Sequence, residues 1–152
     1  MIIMLAAFFM QTNILGDSYI MFGNTFIGKP AEIIKPEPIT IPMIATAYDL
    51  SIRCTGKSYN HPSRGITRSG LNLNGISGQD AMIVASTKYP ISTKLKLTFP
   101  EGYEKYNGVY EVHDRGNFNE NVLDVYVGDF GEQAGKETVD FGRVNVQAEI
   151  IE

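Results

Sequence analysis

Hydrophobic and polar residues alternate along several short runs of this chain. In the run TKLKLTF, residues 93–99, leucine and phenylalanine alternate with threonine and lysine, which is the period-two pattern of a half-buried strand. Five other runs have the composition of strands: MIATAY, AMIVAS, GVYEVHD, NVLDVYVG and RVNVQAEII. Because such runs dominate the chain from Met43 onwards, the pattern predicts a mainly β domain.

Helical periodicity is confined to a short part of the sequence. The stretch Asp129–Gly142, which contains GEQAGKETVDFG, has room for a helical turn or two, so we expect one or two short helices. Cys54–Asp80 is instead a long irregular segment with five glycines. Such segments in compact domains are usually functional loops. We expect it to wall a ligand groove, and shortening of Asn72–Gly78 to weaken binding more than folding.

The first 42 residues differ from the rest of the chain. Met1–Met10 is uninterruptedly apolar, a length that suits the core of a signal peptide better than a bilayer span of about 20 residues. Residues 1–27 are therefore an export signal or anchor-like segment, a strand or helix docked on the domain, or a segment that binds a membrane or a protein partner. Residues 28–42 contain four prolines and predict an extended linker, so the folded domain is expected over 43–152.

Length and charge narrow the function classes. A chain of 152 residues fits one domain with a short appendage. Thirteen basic against seventeen acidic side chains give a net charge of −4, and the basic ones are scattered, so we expect no nucleic-acid partner. The one cysteine, Cys54, cannot form an intramolecular disulfide or supply a thiolate-rich zinc site.

Three local motifs carry little weight. Gly56-Lys57-Ser58 resembles the end of a phosphate-binding loop, but Ser51 stands where the first glycine of that motif belongs. His61 and His113 lie far apart, without companions at metal-ligand spacing. Cys54 has no local signature of a thiol enzyme. We therefore expect neither a metal nor a cofactor, and chelation with EDTA should leave any activity unchanged.

Two aspartates in Val109–Asp129 form the more informative pattern. Asp114 ends one predicted strand and Asp124 lies inside the next. Alternation puts Leu123 and Val125 on one face and Asp124 with Tyr126 on the other. A carboxylate in the middle of a strand opposes β-propensity, so it serves either as an ion-pair or capping group or as a reactive acid in a groove. If a hairpin brings the two aspartates together, repulsion and burial should raise one pKa.

Short motifs in a fixed order carry a family resemblance over roughly Ala45 to Ile151. They are Ala45–Tyr48, Asp49–Ser51, Cys54–Ser58, His61–Pro62, Gly65–Thr67, Ser69–Gly70, Tyr89–Thr93, His113–Gly116, Leu123–Tyr126 and Phe141–Arg143. Together they resemble the three-aspartate (3D) domain family, related to membrane-bound lytic transglycosylase A and to Gram-positive stationary-phase muralytic enzymes. The resemblance implies a six-stranded double-psi β-barrel.

The resemblance also implies an activity and a set of site residues. The family's second and third aspartates correspond to Asp114 and Asp124. The implied enzyme is a peptidoglycan lytic transglycosylase, in which the C6 hydroxyl of muramic acid attacks the anomeric carbon and one carboxyl serves as acid and then base. Asp124 would be that acid/base and Asp114 its positioning partner. The substrate-binding residues would be Tyr48, Thr67, Ser69, Arg115 and Tyr126, although Tyr48 and Tyr126 could instead cap the core.

Two positions depart from the family pattern. Where the family has Val-Asp-Pro, this chain has Val84-Ala85-Ser86, so the first of the three aspartates is missing. The glycine of the following turn is Ser92. The departures leave two alternatives to the enzyme: a non-catalytic glycan-binding barrel resembling expansins, and a structural module of a phage particle or secretion apparatus. The expected partner is the glycan strand of peptidoglycan, and the expected location is the cell wall outside the cytoplasm or a phage particle.

Overall fold

The computed structural model describes residues 11–14, 17–22, 25–26 and 37–151. The chain divides into two units, Met1–Glu37 and Pro38–Glu152. In the first unit, β1 (Gln11–Ile14), β2 (Asp17–Phe22) and β3 (Thr25–Phe26) form an antiparallel sheet in chain order. The apolar run Met1–Met10 and most of the predicted linker lie outside the described residues, and the interpretations of 1–27 stay predictions.

The second unit is a closed barrel of six strands within the described residues. These are β4 (Thr40–Asp49), β5 (Ile83–Ser86), β6 (Lys94–Thr98), β7 (Gly108–Asp114), β8 (Val122–Gly128) and β9 (Val144–Ile151). Their order around the barrel is β4-β8-β5-β7-β6-β9. The pairs β4/β8 and β5/β7 are parallel and the other four are antiparallel. The mainly β class and the six-stranded barrel are confirmed.

Three short helices accompany the barrel in the described part of the chain, one more than the largest number predicted. They are α1 (Ile52–Thr55), α2 (Gly78–Ala81) and α3 (Lys136–Phe141), with a 3₁₀ turn at Glu104–Tyr106. Helix α3 lies in the stretch where a helix was expected. Helices α1 and α2 have four residues each, about one turn, which is too short to produce hydrophobic periodicity.

Strand β4 begins before the predicted domain start at residue 43. Thr40, Ile41 and Pro42 already pair with β9, whereas pairing with β8 begins at Ile44. Pro42 therefore has a neighbouring strand on one side only. The missing N–H of a proline is tolerated at such an edge position. The prolines of the linker do not prevent its last residues from joining the sheet.

Alternate residues of all six strands fill the barrel. The interior cluster includes Met43, Ala45, Val84, Leu95, Leu97, Tyr110, Val112, Leu123, Val125, Val127, Val144, Val146 and Ala148. The face that holds Leu123 and Val125, predicted by alternation, is this interior face. The intervening residues of each strand therefore lie on the outer surface of the barrel.

A second, smaller core lies on that outer surface, across β4, β8 and β5. It contains Tyr48, Leu50, Leu73, Ile83, Ala85 and Tyr126. Leu73, from the glycine-rich segment, is 1% exposed, and the Tyr126 hydroxyl donates to the carbonyls of Ile76 (2.8 Å) and Leu73 (3.2 Å). Residues 72–78 thus complete a hydrophobic cluster, so shortening them removes packing as well as groove wall, and the expectation that it weakens binding more than folding stays a prediction.

Candidate functional site

A row of four residues crosses four neighbouring strands on the outer surface of the barrel. Thr46 on β4 pairs with Asp124 on β8, Asp124 with Ala85 on β5, and Ala85 with Asp114 on β7. Directly paired residues point to the same side of a sheet. The row therefore brings both predicted aspartates to one surface, with position 85 between them.

This arrangement corrects the expected hairpin. Strands β7 and β8 are consecutive in the chain, but β5 lies between them in the barrel. The two aspartates share a surface because each pairs with Ala85. The position at which the resemblance expects the first aspartate is thus the centre of the row, occupied here by a methyl group.

A β-bulge sets the orientation of Asp114. Val84 pairs with Val112, but the next residue, Ala85, pairs with Asp114, so β7 carries an extra residue at His113. Without this extra residue, alternation would turn Asp114 to the same side as the interior Val112. A bulge re-aims the side chains that follow it, and here it turns Asp114 to the outer surface.

Three residues of the row, Ala85, Asp114 and Asp124, lie on the floor of a groove with a volume of about 310 Å³. One side comes from the segment after β4, the other from the loop between β7 and β8. The lining residues are Tyr48, Cys54, Thr55, Lys57, Ile66, Ala85, Asp114, Arg115, Gly116, Asn117, Phe118 and Asp124. Four of them belong to Cys54–Asp80, so this segment does wall the groove, as predicted.

Asp124 is a partly buried carboxyl with one hydrogen-bond donor among the described residues. The Thr46 hydroxyl donates to its Oδ1 at 2.6 Å. Burial raises the pKa of Asp124, the Thr46 hydrogen bond lowers it, and the charge of Asp114 raises it, with a net rise. Because Oδ1 accepts from Thr46, Oδ2 is the oxygen left to carry a proton. A carboxyl that holds its proton to a higher pH than usual is suited to act as a general acid.

Asp114 holds together the two sides of the groove. Its Oδ1 accepts the backbone N–H of Arg68 at 3.0 Å and that of Arg115 at 2.8 Å. Arg68 belongs to the glycine-rich segment and Arg115 to the opposite loop. Asp114 therefore positions backbone on both sides and places a charge beside Asp124.

Tyr48 lies on the groove floor and is 8% exposed as a residue. Its ring centroid is 5.4 Å from that of Tyr126, and its buried hydroxyl has no hydrogen-bond partner among residues 37–151. Burial, followed by the charges of Asp114 and Asp124, raises the pKa of the phenol well above its usual value. Tyr48 is thus a neutral, buried donor next to two carboxyl groups.

Three of the predicted substrate-binding residues lie outside the groove lining. Tyr126 is 1% exposed and its hydroxyl anchors residues 73–76, so its ring is unavailable for stacking on a sugar. Thr67 Oγ1 lies 3.0 Å from Ser69 Oγ, which in turn lies 2.8 Å from His113 Nδ1. These hydroxyls fasten the glycine-rich segment to the bulge of β7.

Arg115 lines the groove, and one nitrogen of its guanidinium is already engaged. Nη1 donates to the carbonyls of Ser86 and Tyr89, which fixes the loop after β7 against the end of β5. In this conformation its contribution to the groove is to hold the wall in place.

Two hydrogen-bonded aspartates outside the groove, Asp129 and Asp49, were not among the predicted site residues. Arg64 is 5% exposed and binds both oxygens of Asp129, a partner with no local sequence signal. Asp49 is fully buried and accepts hydrogen bonds from Ser51 N, Gly135 N and Thr138 Oγ1. Asp49 and Ser51 appear among the resembling motifs, and the structure shows that Asp49 joins the end of β4 to α3. Thr46 was also missed, although it lies at an outward position of β4 next to Tyr48.

The described residues contain neither a metal-binding cluster nor a membrane-spanning helix. Within residues 37–151 and the three N-terminal strands, no group of three or more His, Cys, Asp or Glu side chains could hold a metal ion. No helix in the same residues is long and apolar enough to cross a membrane.

No protein-family model matches the sequence, and a search of curated proteins found no match either.

Proposed function

We propose that this protein is a peptidoglycan-cleaving lytic transglycosylase with Asp124 as its acid/base. The observation that carries the proposal is the state of Asp124: a partly buried carboxyl on the floor of a groove, with a raised pKa and one oxygen fixed by Thr46. The motif resemblance to the 3D family supplies the substrate class. In the same proposal the barrel is of the double-psi type and works outside the cytoplasm, at the cell wall or on a phage particle.

The reaction needs few groups from the protein. Asp124 donates the proton on Oδ2 to the glycosidic oxygen as that bond breaks, and its carboxylate then accepts the proton of the attacking C6 hydroxyl. The product is a 1,6-anhydro sugar, and no water has to be positioned. Glycoside hydrolysis divides these tasks between two carboxylates, whereas here Asp124 performs both and Asp114, whose Oδ1 accepts two backbone N–H groups, has the positioning role.

The test is digestion of purified peptidoglycan, with the soluble products identified by mass spectrometry. The wild-type protein should release anhydromuropeptides, with highest activity at mildly acidic pH, where Asp124 still holds its proton. Asp124→Asn keeps the shape of the side chain but removes the transferable proton, so the rate should fall about 10²- to 10⁴-fold. Asp114→Asn should have a milder effect.

Asp140→Asn is the matched control, because Asp140 is an exposed residue of α3 paired with Lys136 and lies outside the groove lining. Equal release of anhydromuropeptides by Asp124→Asn and wild type would place the acid elsewhere. Products with ordinary reducing ends would identify a hydrolase instead.

Ala85 favours a second candidate, a glycan-binding barrel without cleavage. It puts a methyl group at the centre of the row, where the resembling family has an aspartate. In that case the wild-type protein binds glycan strands in the groove but releases no soluble product. Asp124→Asn leaves the binding unchanged.

A further inference from the structure

The Tyr48 hydroxyl is a buried donor without a partner among the described residues. Buried hydroxyls in proteins are nearly always hydrogen-bonded, and an exception calls for an explanation. Tyr48 stands two residues after Thr46 on β4, and Thr46 pairs with Asp124. Because its ring points to the same outer surface, Tyr48 is a diagonal neighbour of Asp124, within reach of a long side chain.

The other hydroxyls around the groove are already engaged, and Lys57 and Arg115 each have at least one N–H group committed to a backbone carbonyl. Lys57 Nζ donates to the Ser63 carbonyl at 2.9 Å, Thr55 Oγ1 to the Ser51 carbonyl at 2.9 Å, and Arg115 Nη1 to two backbone carbonyls. Thr46 already donates to Oδ1 of Asp124. Tyr48 is therefore the side-chain hydroxyl beside Asp124 with its proton uncommitted among residues 37–151.

The charged and titratable groups facing this site come from every surrounding element. They are Tyr48 on β4, Tyr126 on β8, Asp114 on β7, Cys54 and Lys57 on the glycine-rich segment, and Arg115 on the opposite loop. Both nearby charges that act on the Tyr48 phenol, those of Asp114 and Asp124, favour its neutral form. The phenol thus keeps its proton and can donate it in a hydrogen bond to an anion.

We propose that Tyr48 is a positioning residue for Asp124, whose hydroxyl donates a hydrogen bond to the Asp124 carboxylate once Asp124 has released its proton. During cleavage the proton passes from Asp124 to the glycosidic oxygen, and the Tyr48 side chain shifts so that its O–H reaches the new carboxylate without losing its own proton. When the C6 hydroxyl returns a proton to Asp124, the hydrogen bond is released. The catalytic use of this hydrogen bond rests on the proposed function, but the hydrogen bond itself forms wherever Asp124 is ionised.

The direct test is an NMR titration of the Asp124 carboxyl carbon in wild type and Tyr48→Phe. Loss of a donor to the ionised form should raise the Asp124 midpoint by about one pH unit. In wild type the Cζ resonance of Tyr48 should move with the same midpoint, and Asp124→Asn should abolish that movement. The second measurement needs no substitution at Tyr48.

Stability gives an independent readout. Below the titration of Asp124, Tyr48→Phe should be as stable as wild type or more stable, because it removes a buried hydroxyl without a partner. Above that pH it should be less stable, since the ionised carboxyl has lost its donor. In the Asp124→Asn background the effect of Tyr48→Phe should not depend on pH.

Tyr89→Phe is the matched control, because Tyr89 also has a buried hydroxyl without a partner in the described domain and does not line the groove. It should leave the Asp124 midpoint unchanged. An Asp124 midpoint in Tyr48→Phe equal to or below that of wild type, or a Tyr48 Cζ resonance that ignores the titration of Asp124, would overturn the proposal. Since neither measurement uses glycan, a shift in a protein that cleaves no peptidoglycan would refute the proposed function and support the hydrogen bond.

Discussion

Asp124 in the groove and Asp129 just beyond the end of β8 belong to the same stretch of chain but have opposite pKa shifts. For Asp129, hydrogen bonds from Arg64 outweigh the effect of burial and, with N–H groups of Gly75 and Gly131, hold the pKa at about 2. For Asp124, burial dominates over the single Thr46 hydrogen bond and the pKa is raised. Sequence position does not distinguish these two carboxyls, whereas their donors do.

The two carboxyls differ in how many of their oxygens accept hydrogen bonds. Both oxygens of Asp129 are engaged, and its Arg64 partner also donates to Asn74 Oδ1 at 2.7 Å and to the Gly131 carbonyl at 3.1 Å. Asp124 has one oxygen engaged within the described residues and one without a hydrogen-bond partner there. A carboxylate whose two oxygens both accept hydrogen bonds stabilises the fold. A carboxyl with one oxygen free is still able to bind or release a proton there.

The largest difference between the two carboxyls is expected when the same substitution is made at both positions. Asp129→Asn leaves the buried Arg64 without a counter-charge, so the free energy of unfolding should fall by about 3–5 kcal/mol. Asp124→Asn should leave it unchanged or raise it, because it removes a carboxyl whose ionised form is disfavoured by burial. Urea denaturation of both variants at pH 7 measures the difference, and equal losses would refute the distinction.

Acid should destabilise the fold through Asp129 and not through Asp124. Its folded pKa lies below the unfolded value, so its stabilising effect is complete above about pH 4 and is lost as the pH falls towards about 2. The folded pKa of Asp124 lies above the unfolded value, so its effect has the opposite sign and stability falls as the pH rises. Wild type should therefore lose more stability than Asp129→Asn between pH 4 and 2; an equal loss would contradict the pairing.

Ala85→Asp changes the charge around Asp124 without touching Asp129. It places a third carboxyl between Asp114 and Asp124, and like charges directly opposite one another in a sheet repel. The midpoint of Asp124 should rise, and the free energy of unfolding at pH 7 should fall by about 1–2 kcal/mol, with recovery as the pH is lowered. Ala85→Asn, of the same size without the charge, is the control. If the two variants show the same pH profile, charge is not the cause.

The smallest effect is expected at Ser92, a non-glycine residue with φ of 70°. Its N–H donates to the Val112 carbonyl at 2.8 Å, next to the bulge of β7. Ser92→Gly should relieve the left-handed backbone and raise the free energy of unfolding by up to about 1 kcal/mol, without moving the midpoint of Asp124. Thermal unfolding measures the gain in stability, and the NMR titration measures the midpoint of Asp124. A shifted midpoint would mean that the titration of Asp124 depends on the overall stability of the domain.

Alternation in the sequence predicted the strands and the outward position of Asp124, because a period of two is local information. The pairing of strands is not local: β5 separates β7 from β8, so a hairpin expected from chain order was wrong. Tyr126 has the outward position expected of a ligand contact, but burial under Leu73 depends on a segment far along the chain. Arg64 and Asp129 pair across 65 positions, and no local sequence pattern near either residue predicts the pairing.

The position of β4 in the barrel has a kinetic consequence. Thr40 pairs with Glu149 and Ile44 with Val122, so the first strand of the barrel has neighbours that are the last two strands to be synthesised. Long-range pairings of this kind carry a large loop-closure entropy and slow folding. Until β8 and β9 are available, β4 has two unsatisfied edges, which are sites for pairing with other chains. The barrel can close only after synthesis has passed Ile151, so exposure of β4 to other chains should limit the yield of folded protein more than the final stability of the barrel does.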